Sequence, residues 1–405
     1  MEVEIQSETG PIYFNPVTLK LSPELHQMSY EESLQIARCS LSSKIQPENT
    51  IIRARIVITE KCNLRCTYCF VMDQQKQLRD MKPEVLDKTL ALIKKFGSRR
   101  ELTVQIFGGE PLIYIDRIKY IIESLKDSDV FQNCRFEVNT NATLANKIEL
   151  DWFKAYKEKI IFSISLDSSE AEINDLYRKS MKGRGSYKPT LNGIQKLQKQ
   201  GFQIGILYTP RNETLKKLPK LLFDVHKLGI YDVSVNSPQP TQKDWSIDGH
   251  LFAQSLLKSK QVASKLGMNF SSELDKIQLI VDEEIPNLND CTSLCGYSLS
   301  FSPEGEVSHC IVNWDKLAGM TQPVDNVCFE KIRHFKNDSP TMRSECQNCV
   351  AHSTCGGLCG LERTLGNIQG ENEEKPQKCC FYQQATIYAV KQKIQKIQSI
   401  ALSTG

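Results

Sequence analysis

Between residues 53 and 236, short apolar runs alternate six times with amphipathic segments, which leaves few folds open to the chain. Strands are expected at Arg55 to Thr59, Leu102 to Phe107, Arg135 to Asn139, Ile160 to Leu166, Gln203 to Tyr208 and Tyr231 to Asn236. Between them lie helical patterns. Leu86, Leu90 and Ile93 follow Pro83 at a helix start; Ile118, Ile121, Ile122 and Leu125 share one face; Leu191, Ile194 and Leu197 end at Gly201. Strands that alternate with helices call for a parallel sheet, and six such units curl into a partial (β/α)6 barrel. Chemistry then belongs at the C-terminal ends of the strands.

The first of those ends carries Cys62-Asn63-Leu64-Arg65-Cys66-Thr67-Tyr68-Cys69. Three thiolates hold three irons of a 4Fe-4S cube, which leaves the fourth iron open to a small molecule. A zinc loop would want a fourth nearby Cys or His, and none lies within twenty residues. Reduced core thiols need no such spacing.

With Tyr68 before the last cysteine, this motif resembles that of the radical S-adenosylmethionine (SAM) enzymes. Gly108-Gly109-Glu110-Pro111, after the second strand, is similar to the family's Gly-Gly-Glu-Pro segment. The resemblance implies that Cys62, Cys66 and Cys69 ligate the initiating cluster and that Glu110 takes the amino group of SAM. It further implies SAM contacts after strands three and four: Asn139 and Asn141, then Ser165 and Asp167, with Arg178 in a downstream Asp-x-x-Arg. Asn-Thr-Asn and Asp-Ser-Ser are also ordinary turn formers. The usual Asp-Gly is Asp167-Ser168 here, a departure from the pattern.

Fifteen cysteines are too many for a casual intracellular inventory, and a reducing compartment disfavours a disulfide framework. Twelve fall in three groups, while Cys39, Cys134 and Cys328 stand alone and read as inert thiols. The later groups run Cys291, Cys295, x9, Gly305, x4, Cys310, then Cys346, Cys349, Cys355 and Cys359, then Cys379-Cys380. This order resembles the C-terminal SPASM extension of radical SAM enzymes, a holder of two further 4Fe-4S clusters. The resemblance gives the first cluster Cys295, Cys310 and Cys359, with Cys291 a candidate fourth ligand. It gives the second Cys346, Cys349, Cys355 and one of the final pair. Cys379 is expected there because Phe381-Tyr382 follows at the family's distance. A zinc ribbon over Cys346 to Cys359 is the competing assignment.

The expected organisation is an N-terminal segment (1–50), a TIM-like partial barrel (51–240), a helical bridge (241–290), a cluster domain (291–383) and a C-terminal helix (384–405), arranged as two lobes. In the first segment, Ile12-Tyr13-Phe14 and Val17-Thr18-Leu19 around Asn15-Pro16 suggest a hairpin, followed by a helix near Tyr30 to Ala37. A net charge of +3 over 405 residues suggests no nucleic-acid partner. No stretch reaches the roughly 18 apolar residues of a membrane span and no signal peptide is seen, so a cytoplasmic protein is expected.

The resemblance implies three 4Fe-4S clusters, SAM cleavage to a 5'-deoxyadenosyl radical, and a flavodoxin- or ferredoxin-type electron donor. It points to an enzyme that crosslinks a ribosomally made precursor peptide, through a C–C (cyclophane) or thioether bond. Sulfatase-type formylglycine formation, a small-molecule or tetrapyrrole substrate, and a non-catalytic iron-sulfur protein are the alternatives. Sulfatase-maturing relatives place an Asp directly after the Gly-x4-Cys cysteine, where this chain has Ile311; an aliphatic side chain is no general base, and Asp315 is the nearest acid on that loop.

Overall fold

The computed structural model describes residues 2–44, 49–69, 71, 77–236, 247–287, 297–310, 321–332, 344–357 and 378–404. The six expected strands form as β4 (Arg53–Thr59), β5 (Leu102–Gly108), β6 (Cys134–Thr140), β7 (Ile160–Ser165), β8 (Gln203–Tyr208) and β9 (Asp232–Val235), each parallel to the next. Alternate residues of these strands turn outward. Ile56, Ile58, Val104, Ile106, Phe136, Val138, Phe162, Ile164 and Ile206 are buried in one core. The helices α2 (Pro83–Phe96), α3 (Ile115–Lys126), α5 (Tyr187–Lys199) and α7 (Leu218–Lys227) supply the facing apolar stripes, such as Leu86, Leu90 and Ile93 or Leu218, Leu221, Leu222 and Val225. The short helices α4 (Ala171–Tyr177) and α6 (Asn212–Leu215) lie in the connections beyond β7 and β8.

The sheet is longer than the six units. β10 (Asn269–Ser271), within the stretch expected as a purely helical bridge, pairs parallel to β9, between the bridge helices α8 (Gly249–Leu266) and α9 (Glu273–Glu283). At the other edge β11 (Ser298–Phe301) pairs parallel to β4 and continues through β12 (Glu306–Ser308) and β13 (Gln322–Pro323) in antiparallel order. The open sheet therefore runs β10-β9-β8-β7-β6-β5-β4-β11-β12-β13. Instead of two lobes joined by a bridge, the cysteine-bearing C-terminal half shares backbone hydrogen bonds with the first barrel strand. Burying that strand on both sides removes an exposed edge.

The N-terminal hairpin forms one strand earlier than expected, from β1 (Val3–Ser7) and β2 (Gly10–Phe14), with β3 (Leu21–Ser22) completing a small sheet. Val17-Thr18-Leu19 is a bend: Asn15 Oδ1 accepts from Val17 N and Thr18 N, both at 3.0 Å, and Leu19 has φ 63°. The helix α1 (Tyr30–Lys44) follows. This segment is held by the C-terminal half. Ser353 on α10 (His352–Cys355) donates to the carbonyls of Pro16 (3.1 Å, from N) and Val17 (2.6 Å, from Oγ), and Tyr30 Oη lies 3.3 Å from His352 Nε2. The last helix, α11 (Lys378–Thr404), reaches back to Ser7 and Thr9 through Gln398.

Candidate active site

The cysteine loop leaves β4 and is fixed by backbone bonds on two sides. Gly109 N donates to Thr59 O and Glu110 N to Lys61 O, each at 2.8 Å. Such closeness requires the glycine pair. A Cβ at Gly109 would stand 2.2 Å from Lys61 O, one at Gly108 would stand 2.0 Å from Thr59 O, and Gly108 has φ 143°. On the other side Leu64 bridges Ser180, while Arg65 N and Thr67 N donate to Lys179 O (2.6 Å) and Tyr177 O (3.0 Å).

Glu110 is fully buried and accepts from Leu112 N (3.0 Å), Thr140 Oγ1 (2.6 Å) and Asn141 N (2.8 Å). Three of a carboxylate's roughly four acceptor sites are thus taken by the chain. Burial raises its pKa, against these hydrogen bonds. Pro111 opens a 3-10 turn behind it. Asn141 reaches the loop: its Nδ2 lies 3.8 Å from Cys62 Sγ and 3.0 Å from Asn63 Oδ1. Asn63 Nδ2 in turn donates to Thr143 Oγ1 at 2.8 Å, and Thr143 donates back to Asn141 Oδ1 at 2.6 Å. The Asn63 and Thr143 contribution escaped the motif reading, because Asn and Thr near a turn carry no distinctive signal.

Tyr68 meets Asp167 and Arg178, about a hundred residues further along the chain, below the loop. Tyr68 Oη donates to Asp167 Oδ2 and accepts from Arg178, whose Nη1 lies 3.7 Å from Asp167 Oδ2. Thr209 N occupies Asp167 Oδ1 at 3.1 Å. All three side chains are buried. Burial pushes the Tyr68 pKa well up. Burial disfavours the Arg178 charge, but Cys66, Tyr68 and Asp167 outweigh it and hold its pKa up. Arg211, absent from the sequence-based set because no motif marks it, lies 5.2 Å from the Tyr68 ring and 5.5 Å from Tyr177. Removing one member of a buried ionic cluster strands the other, at about 3 kcal/mol or more. Asp167→Ala is expected to lower the urea midpoint by that equivalent and Asp167→Asn by less; an unchanged midpoint in Asp167→Ala would show that the cluster is not held through this carboxylate.

Inside the barrel the strands present polar side chains. Arg53 Nη1 pairs with Glu137 at 3.0 Å, Ser163 Oγ donates to the other Glu137 oxygen at 2.8 Å, and Arg55 Nη1 donates to Ser298 Oγ on β11 at 2.6 Å. Asn139, buried, has its Oδ1 without a partner among the described residues, and Ser165 is half-buried at the end of β7.

Of the later cysteines, Cys291, Cys295 and Cys359, with Ile311, lie outside the described residues. Cys310 follows β12 beside buried His309, whose pKa burial lowers to about 4. Cys346 O accepts from Cys349 N at 3.0 Å, and Cys349 O from His352 N at 3.0 Å, so Cys346, Cys349 and Cys355 ride on one short coiled run ending at α10. Cys379 and Cys380 begin α11, where Gln383 Nε2 lies 3.5 Å from Cys349 Sγ. No helix among the described residues is long and apolar enough to cross a membrane.

Residues 56–225 match the Radical SAM superfamily. The chain carries a radical SAM domain. It is 29% identical over 189 residues to the antilisterial bacteriocin subtilosin biosynthesis protein AlbA of Bacillus subtilis, covering 46% of this chain and 39% of AlbA. It is equally 29% identical over 189 residues to a cysteine-type anaerobic sulfatase-maturating enzyme of Clostridium novyi, covering 45% and 47%. The chain thus spans less than half the length of either relative. Among solved structures, native anSMEcpe with bound AdoMet and the Cp18Cys peptide superposes with TM-score 0.67 at 18% identity, covering 86% of this chain and 99% of that one, a likeness of fold.

A radical SAM domain implies a 4Fe-4S cluster and SAM, and the loop's donor set suits them. Burial, then Glu110, then the neighbouring thiols Cys69 and Cys66 push the Cys62 pKa to about 12, with Leu64 N at 3.3 Å opposing. Thiolates so crowded call for bound positive charge, which iron supplies. Among the described residues no three Cys, His, Asp or Glu side chains close round a single ion; a cube takes one iron per cysteine and does not need them to.

Proposed function

We propose that this protein is a radical SAM/SPASM maturase that crosslinks a ribosomally made peptide. The observation that carries the reading is the meeting, at the C-terminal ends of β4 to β7, of the cysteine loop, the glycine turn, Asn141 and the Tyr68–Asp167–Arg178 cluster, above a polar barrel interior. When bound, the cluster and SAM supply a carbon-centred radical able to take hydrogen from an unactivated C–H bond.

The chain's residues do the rest. Cys62, Cys66 and Cys69 hold the cluster, and Leu64 N and Asn141 Nδ2 orient the Cys62 sulfur. Glu110, with one acceptor site remaining, would hold the amine of SAM, and Gly108, Gly109, Pro111, Asn139, Asn141, Ser165, Asp167 and Arg178 are the further residues assigned to it. The polar inner face, with Arg53, Arg55, Glu137 and Ser163, suits a peptide backbone better than a purely apolar ligand. Two further clusters are assigned to Cys291, Cys295, Cys310 and Cys359, and to Cys346, Cys349, Cys355 and Cys379. The Gln383–Cys349 contact supports placing the start of α11, with Cys379 and Cys380, against the second set of ligands.

Similarity to a sulfatase-maturating enzyme favours formylglycine formation as a second reading, and Ile311, where an Asp is expected, speaks against it. Co-expression with small open reading frames beside the gene should yield a peptide lighter by two hydrogens per bond formed, by mass spectrometry. Conversion of a Cys-containing sulfatase peptide to its aldehyde at a comparable rate would make the second reading correct.

A further inference from the structure

The geometry points to a docking surface for an acidic electron-donor protein on the hairpin that rides on the cysteine loop; this rests on the radical SAM reading above. The hairpin runs from Arg178 to Ser186. Lys179 bridges Gly185, Ser180 N donates to Arg184 O at 2.8 Å, and Gly183, with φ 73° and nothing within 4 Å of a built Cβ, turns its tip into solvent. Its base is pinned. Asp175 Oδ1 accepts from Ser186 N and Tyr187 N at 2.9 Å each, and a Cβ at Gly185 would stand 1.9 Å from Asp175 Oδ2. Its inner strand is hydrogen-bonded to residues 64–67, between Cys62 and Cys69, so a partner seated on it stands against the loop that carries the initiating cluster.

The surface has the sign and composition of a transient redox interface. Residues 61–69 and 176–188 contain no Asp or Glu. Lys61 is paired with Asp80 and Arg178 is buried beside Asp167, which leaves Lys179, Lys182 and Arg184 on the hairpin itself, with Arg65, whose Nη1 donates to the Cys62 and Leu64 carbonyls, on the adjoining loop and exposed Lys188 at the start of α5. The whole chain carries only +3, so the excess is local. Among the described residues the nearest acids are Asp175, whose carboxylate is taken by Ser186 N and Tyr187 N at the base of the hairpin, Glu213, bound to the Tyr177 hydroxyl, and exposed Glu172 on α4. Met181 in the hairpin tip and Leu176 in α4 expose 66% and 50% of their surface, which adds apolar contact area to the cations. Electron-transfer encounters are small and steered by charge, and this patch fits a partner with an acidic face around its redox centre. The peptide is assigned to the polar barrel interior under the proposed function, not to this hairpin. One electron passes from the reduced donor to the cluster; the donor is oxidised by one electron and no bond is made or broken.

The test is the Lys182→Glu/Arg184→Glu protein, anaerobically reconstituted, against an acidic flavodoxin. Binding of oxidised flavodoxin at low salt is expected to weaken by about tenfold or more and to lose most of its salt dependence. Reduced flavodoxin should then drive SAM cleavage correspondingly more slowly, while dithionite drives it at the wild-type rate. No measurable binding of flavodoxin or an acidic ferredoxin to the wild type, or a Kd unchanged within twofold in the variant, overturns the proposal. So does an equal loss with dithionite, which marks damage to the site, or a shift confined to peptide affinity, which assigns the patch to substrate. Failure of dithionite to drive cleavage in the wild type would instead count against the radical SAM reading.

Discussion

Replacing Cys62, Cys66 and Cys69 together by Ala is expected to abolish SAM cleavage while about eight of some twelve irons remain bound. The loop does not depend on its thiols for its shape. Backbone bonds to Thr59, Lys61, Tyr177 and Lys179 hold it on both sides, so the triple variant should fold with the loop in place and only the cluster missing. Cys346, Cys349 and Cys355 are held independently of the loop, by their own short coiled run and by α11 against Cys349. Iron and sulfide assays, with 5'-deoxyadenosine measured after dithionite reduction, check both halves. Loss of all iron would tie the clusters into one folding unit, and persistent 5'-deoxyadenosine would place the initiating cluster elsewhere.

Gly109→Ala should cost about a hundredfold in SAM cleavage, with stability reduced and the C-terminal clusters kept. The added methyl would meet Lys61 O at 2.2 Å, Lys61 C at 2.5 Å and Glu60 O at 2.6 Å. All three are backbone atoms, so no side chain can swing aside. Either the glycine turn backs away, breaking the bonds from Gly109 N and Glu110 N, or the cysteine loop shifts by about an ångström, and misplacement of that size carries a rate penalty of this order. Cleavage within tenfold of wild type would show that the loop tolerates the shift.

Much of the fold could be read from periodicity, because a strand that packs one face on helices repeats every two residues and a covering helix at about 3.6. β11 escapes that reading because Ser298-Leu299-Ser300-Phe301 is short and half polar; Ser298 accepts from Arg55, and Ser300 is fully buried with its hydroxyl unpartnered among the described residues. The N-terminal hairpin was misplaced because Asn15-Pro16 looks like a turn between strands, whereas the Asn15 side chain builds a bend whose loop is captured by Ser353. At the site, the glycine pair stood out as a motif, but its steric reason lies in the approach of a segment some fifty residues earlier. Pairings such as Tyr68 with Asp167 are contacts between positions that share no local pattern, so only the folded chain displays them.

The grip of Ser353 on Pro16 and Val17 and the insertion of β11 beside β4 also set a timetable for biosynthesis. The first strand of the barrel waits for residues 298–301 before its outer edge is covered, and the N-terminal bend waits for a partner 336 residues downstream. On the ribosome, at about 5 to 20 residues per second, that is on the order of tens of seconds during which the earliest segment lacks its hydrogen bonds to Ser353. Closure so late in sequence makes the final step a long-range one, and it coincides with the arrival of the last cysteines. If the C-terminal cysteines hold clusters as proposed, iron delivery to them and completion of the sheet would fall in the same interval, after residue 353 has been made.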